Sequence, residues 1–195
     1  GCAWLVLRPE SRSGACRDLR PFRMPLFGRK QSTVGLDIGS GLIKVAVIEH
    51  GTRTPMLTKV VIMPLLADAI VDGEIMDPSI VSEAIAAALT EAGVATKQVV
   101  VAVGGRDVII KKIQIERVNE HQARELMRWE AEQHVPFDME SVELDFQILD
   151  PEGTGPEMQV LLVAAKRELV ESKMRVLSES GLEPSVVDVD AFALH

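Results

Sequence analysis

Tyrosine is absent from this 195-residue chain, and only 4% of its residues are aromatic. Base-stacking surfaces for single-stranded nucleic acid are built from exposed aromatic rings, so the composition argues against that class of binder. Cysteine is nearly absent too: Cys2 and Cys16 are the only two, both near the start. No disulfide framework and no cysteine-based metal centre can hold the remainder, which suits a reducing cytoplasm. No apolar run approaches the ~18 residues of a spanning helix. Ala3-Trp4-Leu5-Val6-Leu7 is too short for the apolar part of a secretory signal, with no basic segment before it and no small-residue cleavage site after it. A soluble protein is expected, reaching a membrane only through a partner. His50, His121, His134 and His195 never fall two to four residues apart, so zinc-ligand spacing is missing. No Gly-x-Ser-x-Gly turn occurs and Ser40 has no neighbouring base, so no catalytic residue is assigned.

What remains is an acidic, apolar-rich chain. Its formal charge is −8, and 47% of its residues are hydrophobic, enough for a real core. Residues 1–23 hold five arginines against Glu10 and Asp18, leaving 16 basic and 27 acidic side chains, a net −11, on the rest. Such a body repels nucleic acid and anionic lipid. Residues 1–23 lack periodicity and are rich in Arg, Ser and Gly. They are expected to be a non-native or disordered leader, with a basic arm as the competing reading and Met24 as the natural start.

The most informative stretch is Val34-Gly35-Leu36-Asp37-Ile38-Gly39-Ser40-Gly41-Leu42-Ile43-Lys44-Val45-Ala46-Val47-Ile48. Two short apolar runs joined by a Gly-containing turn predict a β-hairpin. The turn carries Asp37 before it, Ser40 at its apex and Lys44 after it. Glycines let such a turn take positive φ and keep Cβ atoms out of a ligand's way. Consecutive N–H groups there can form a nest for an anion. Lys44 is a point charge suited to phosphate, and Asp37 could hold a hydrated Mg²⁺, which needs only one or two carboxylates. A plain hairpin with a surface Asp and Lys is the competing reading.

Downstream, a third strand is expected over 56–63 after a turn at Gly51-Thr52-Arg53, and Asp72-Gly73 marks another turn. Asp77 as N-cap and Pro78 at the first helical position begin a helix that Gly93 ends. Val99–Val103 is an apolar run typical of a buried strand. Gly104-Gly105 lacks the Lys and Ser spacing of a phosphate loop and is read as the crossing into an inserted unit. Within 106–182 the pattern is a strand at 108–115, a helix capped by Asn119 and stopped at Val135-Pro136, strands at 142–148 and 158–165, and a helix ended by Gly181. Trp129 is expected in a core first and as an interface anchor second.

Asp-x-Gly-Ser-Gly-x-x-Lys between two apolar strands resembles the first phosphate hairpin of the actin, Hsp70 and sugar-kinase superfamily. With a small α/β unit inserted after the central strand, the chain from Met24 to His195 resembles the PilM family of type IV pilus assembly proteins, in the FtsA-like branch. The resemblance implies an α/β, actin-like (ribonuclease-H-like) first subdomain over 24–105 plus 183–195. It also implies a partner-binding α/β subdomain inserted over 106–182, and a second lobe that this chain lacks. It implies ATP and Mg²⁺ as cofactors, with Asp37, Gly39, Ser40, Gly41 and Lys44 on the nucleotide, and Asp37 with Asp190 on the metal through water. Asp190 has a rival reading as a simple N-cap. The implied partners are the cytoplasmic N-terminal peptide of PilN, held between the two subdomains, and other pilus platform proteins, with self-association left open. Neither nucleic acid nor direct membrane insertion is expected, and the protein would be cytoplasmic and peripheral to the inner membrane. A scaffold with at most weak ATPase activity is the first reading. An FtsA-like or secretion-system paralogue is the alternative, and a small-molecule kinase the more remote one.

Overall fold

The computed structural model describes residues 31–51 and 54–194. The expected leader over 1–23, and Thr52 and Arg53 of the expected turn, lie outside the described residues. The main sheet begins with the hairpin of β1 (Gln31–Ile38) and β2 (Leu42–His50), followed by the antiparallel strand β3 (Pro55–Pro64). Alternation drives the pairing: Val34, Leu36 and Ile38 of β1 and Ile43 and Val45 of β2 are buried on one face. After a small hairpin of β4 (Ile70–Val71) and β5 (Glu74–Ile75), helix α1 (Pro78–Ala92) lies across that face. The hairpin turn is built from Asp72 and Gly73, both at positive φ, as the Asp-Gly pair predicts. Asp77 Oδ1 accepts from Ser79 N and Ile80 N, each at 3.1 Å, and Gly93 ends the helix at φ 68°. Both ends are where the sequence put them.

Strand β6 (Gln98–Val103) enters parallel to β1, and β10 (Glu183–Val189) lies parallel to β6, giving the order β10-β6-β1-β2-β3. Three antiparallel strands followed by two parallel ones, with helices on one face, is the actin-like arrangement expected. On the other face Val60 and Ile62 are exposed.

Between β6 and β10 the chain makes a second sheet, in order β7-β9-β8, from β7 (Val108–Glu116), β8 (Val142–Ile148) and β9 (Glu157–Lys166). Helix α2 (Glu120–His134) starts in a capping box, Asn119 Oδ1 accepting from Gln122 N and Gln122 Oε1 from Asn119 N. Its Ala123, Met127 and Ala131 pack on Met158, Val160 and Leu162 of β9, a small core of its own.

One helix differs from expectation. The sequence places helix α3 (Arg167–Glu179) within the inserted unit, yet its Val176 and Leu177 join the core of the five-stranded sheet, with Leu169, Val170 and Met174 packed against it. The reason is topological: β6 and β10 are parallel neighbours, and a parallel pair needs a crossover that lies on the sheet. The inserted sheet keeps one helix, α2. Trp129, on the outer side of α2, is 60% exposed rather than in a core.

The loop between β8 and β9 is held by Arg117. Its guanidinium donates to the carbonyls of Gly155 (2.8 Å), Asp150 (3.1 Å) and Glu157 (2.8 Å), and to Asp150 Oδ2 (2.6 Å). The Gln159 N–H, then the Arg117 side chain, stabilise the Asp150 carboxylate and hold it below the ordinary value of 3.8. A depressed carboxylate pKa contributes stability that is complete above the unfolded value and is lost as pH falls through the folded one. Arg117→Ala removes all four of these hydrogen bonds and should lower Tm by roughly 5 °C at neutral pH. It should also flatten the loss of stability below about pH 4. Thermal melts across acidic pH read both.

Candidate functional site

The C-terminal ends of the parallel strands and the tip of the first hairpin meet at one edge of the main sheet. Asp37 and Lys44 are direct cross-strand partners, and Lys44 Nζ lies 2.8 Å from Asp37 Oδ2. Both are well exposed (60% and 48%), so the pair is worth about 0–1 kcal/mol and opens at little cost. They alternate with the buried Leu36, Ile38, Ile43 and Val45, so they lie on the face away from α1.

The turn itself is tied at both ends. Gly39 N donates to Leu42 O at 3.1 Å, and Gly41 O accepts from Leu65 N at 2.9 Å. Among the described residues no acceptor takes the N–H of Ser40 or Gly41. The expectation of positive φ does not hold here: among the described residues the positive-φ glycines are Gly73, Gly93, Gly105 and Gly181. What Gly39 and Gly41 supply is space. A Cβ on Gly39 would lie 3.1 Å from Leu42 O, and one on Gly41 would point into open space.

Asp190 arrives from the end of β10, at the start of a short 3-10 turn (Asp190–Leu194). Register places it there: Asp188 pairs with Ala102 and Val189 with Val103, so Asp190 is level with Gly104. Its carboxylate occupies the space that a Cβ on Gly104 would need. Among the described residues no backbone N–H donates to it, so the N-cap reading has no hydrogen bond behind it.

A residue that sequence reasoning missed completes the cluster. Lys173 of α3 donates from Nζ to Ala102 O at 2.9 Å. Burial pushes its pKa below the ordinary value of 10.5, while the negative charges of Asp37 and Asp190 oppose that shift. A lysine in the middle of an amphipathic helix carries no sequence signal of such a role. Only the crossover packing of α3 brings it to the strand ends. Gly104 was singled out in the sequence, but as a crossing point and not as the seat of Asp190.

Two surface depressions lie elsewhere. One, between α2 and β8, is lined by Arg124, Arg128, Asp145 and Arg167, and burial raises the Asp145 carboxyl. The other, at the far end of the main sheet, is lined by Thr33, His50, Gln98 and Ser185. Neither includes Asp37, Lys44 or Asp190. Among the described residues no three His, Cys, Asp or Glu side chains are grouped to hold a metal by themselves, and no helix is long and apolar enough to cross a membrane.

Residues 35–195 match the family described as type IV pilus assembly protein PilM. The solved PilM-PilN type IV pilus biogenesis complex contains a chain 32% identical to this one, with a TM-score of 0.76 over 85% of this chain and 49% of that chain. The cytoplasmic domain of EpsL, an inner membrane component of the type II secretion system of Vibrio cholerae, is 14% identical with a TM-score of 0.57. That match covers 84% of this chain and 59% of the EpsL chain, and at this identity it speaks to the fold alone. The chain thus spans about half the length of the PilM chain it resembles.

Proposed function

The chain belongs to the PilM family of type IV pilus assembly proteins, and on that footing we propose that it is the part of a pilus-assembly scaffold that grips the phosphates of Mg-ATP and receives a PilN-type cytoplasmic peptide. One observation carries the nucleotide reading: the convergence of Asp37, Asp190, Lys44 and Lys173 on the strand ends beside an open Gly-Ser-Gly turn. The residues present suit such a ligand. Mg²⁺ keeps several waters and takes one or two carboxylates together with phosphate oxygens, which is the donor set that Asp37 and Asp190 offer. The seat left by Gly104 holds the Asp190 carboxylate at the strand end.

The residues would act as follows. The free N–H groups of Ser40 and Gly41 donate to phosphate oxygens, as a nest does. Lys44 exchanges its carboxylate partner for a phosphate, a low-cost step because the existing pair is solvated. Asp37, once released from Lys44, would hold the ion together with Asp190. The ion would supply charge neutralisation between the carboxylates and the phosphates. Family membership supports a scaffold with at most weak hydrolysis over a kinase.

The peptide reading is supported by family membership and by the likeness to a chain solved in a PilM-PilN complex. Such a peptide would tie the protein to the inner membrane. Nucleotide and peptide would be linked if their sites favour the same arrangement of the two subdomains, and linkage is reciprocal. The test is a Mg-ATP titration of the full-length protein beside Asp37→Asn. Micromolar binding that weakens at least about ten-fold in the variant is expected, the loss of one charge-assisted contact. Equal affinity in both proteins would sink the assignment of the hairpin as the phosphate site.

A further inference from the structure

Lys173 has a more specific task than filling space. Its ammonium has three N–H donors and spends one on Ala102 O, at 2.9 Å. Parallel register pairs Gly35 with Val100 and Leu36 with Val101, which brings Asp37 level with Ala102 on one side of β6. On the other side Asp188 is level with Ala102, and Asp190 follows two residues later over Gly104. The amine is therefore anchored in the row that contains Asp37 and just below the seat of Asp190. Lys44, the other cation at this edge, is engaged with Asp37 on the exposed face. Placing an amine where water is excluded is costly, and here the Ala102 carbonyl and the charges of the two carboxylates offset that cost.

We propose that Lys173 is the resident counter-ion of the Asp37–Asp190 pair, standing where a divalent cation would otherwise be drawn in, so that the site accepts the metal with its nucleotide and not the bare ion. This rests on the nucleotide reading given above. Lys44 pairs with Asp37 alone, on the exposed face, and no ion pair reaches Asp190 among the described residues, so without Lys173 the site would hold free Mg²⁺ whether or not nucleotide is present. With Lys173 in place, a divalent ion must displace a positive charge already there, and the phosphates it carries are what compensate the displaced amine. Lys173 is thus a positioning residue for the metal–nucleotide complex.

The test is a titration of the full-length protein with Mn²⁺ in the absence of nucleotide, followed by water-proton relaxation. Lys173→Met, which keeps the apolar stem, should bind Mn²⁺ at least about ten-fold more tightly than wild type, because one positive charge near a carboxylate pair shifts cation affinity by that order. Lys173→Gln, which keeps a donor for Ala102 O, should show the same gain, and it decides the matter if the Met variant does not fold. Lys173→Arg keeps the charge and should stay within about three-fold of wild type. Adding Asp190→Asn to Lys173→Met should erase the gain. A merely structural lysine would move thermal melts but would leave Mn²⁺ affinity flat. Unchanged or weaker Mn²⁺ binding in the folded Met or Gln variant overturns the proposal. Because no nucleotide is present, the two readings fail separately. Tighter Mn²⁺ binding with no Mg-ATP binding in wild type would remove the nucleotide reading alone. Mg-ATP binding with flat Mn²⁺ curves would remove the counter-ion alone.

Discussion

Replacing Leu177 with alanine is expected to cost about 2–5 kcal/mol and to loosen the five-stranded sheet before the inserted one. Leu177 has no exposed surface and sits among the largest fully buried side chains, in the cluster that contains Val99, Val101, Val103 and Val187 of the two parallel strands. Its carbonyl also accepts from Leu182 N at 2.8 Å, where the chain reverses through Gly181 at φ 70° into β10. Truncation leaves a cavity beneath β6 and β10, and close-packed surroundings relax only in part. Hydrogen exchange would read the outcome by segment. Faster exchange in β6, β10 and α1, with β7, β9 and β8 little changed, follows from the packing of α3 on the main sheet. Loss of protection in the inserted sheet first would place α3 with the insertion after all.

The second large effect falls on binding and not on stability. Gly104→Ala should weaken Mg-ATP at least about ten-fold while shifting Tm by less than about 2 °C. The added methyl group meets the Asp190 carboxylate, the free end of an exposed side chain, which can swing away cheaply. Gly104 is not among the positive-φ residues, so alanine meets no backbone penalty there. The neighbouring position provides the contrast. Gly105 has φ 92° and a Cβ there meets nothing within 4 Å, so Gly105→Ala is strained by conformation and not by space. It should lower stability by about 1 kcal/mol or more while leaving Asp190 seated. Isothermal titration and thermal melts on the two variants separate these causes. Full Mg-ATP affinity in Gly104→Ala would mean that the position of Asp190 does not matter to the site.

Much of this was written locally. The β1–β2 hairpin, the Asp72-Gly73 turn, the Asp77–Pro78 start and Gly93 stop of α1, and the Asn119 capping box each rest on residues adjacent in sequence, and each stands in the structure where the pattern put it. Alternation marked β8, and a continuous apolar run marked β6, which buries Val99, Val101 and Val103 on one face while Val100 and Ala102 stay half-buried. The same locality explains why Asp37 and Lys44 could be picked out: they are cross-strand partners in one hairpin.

Other features were decided only by how distant elements pack. The sequence shows α3 to be a helix, but its apolar stripe would suit either sheet. The parallel β6–β10 pairing settles which core Val176 and Leu177 enter. Trp129 falls on the outer side of α2 because Ala123, Met127 and Ala131 form the stripe that faces β9. Of the two reasons the sequence offers for Gly39 and Gly41, left-handed backbone and a missing Cβ, the fold uses the second. The short-range code of caps, turns and alternation thus determined which elements form and where most of them end. Tertiary structure decided that Asp37, Gly104, Lys173 and Asp190, spread over more than 150 positions of chain, share one edge of a sheet. The physical reason is that strand order and crossover packing are set by burial of whole faces, a condition no short window of sequence contains.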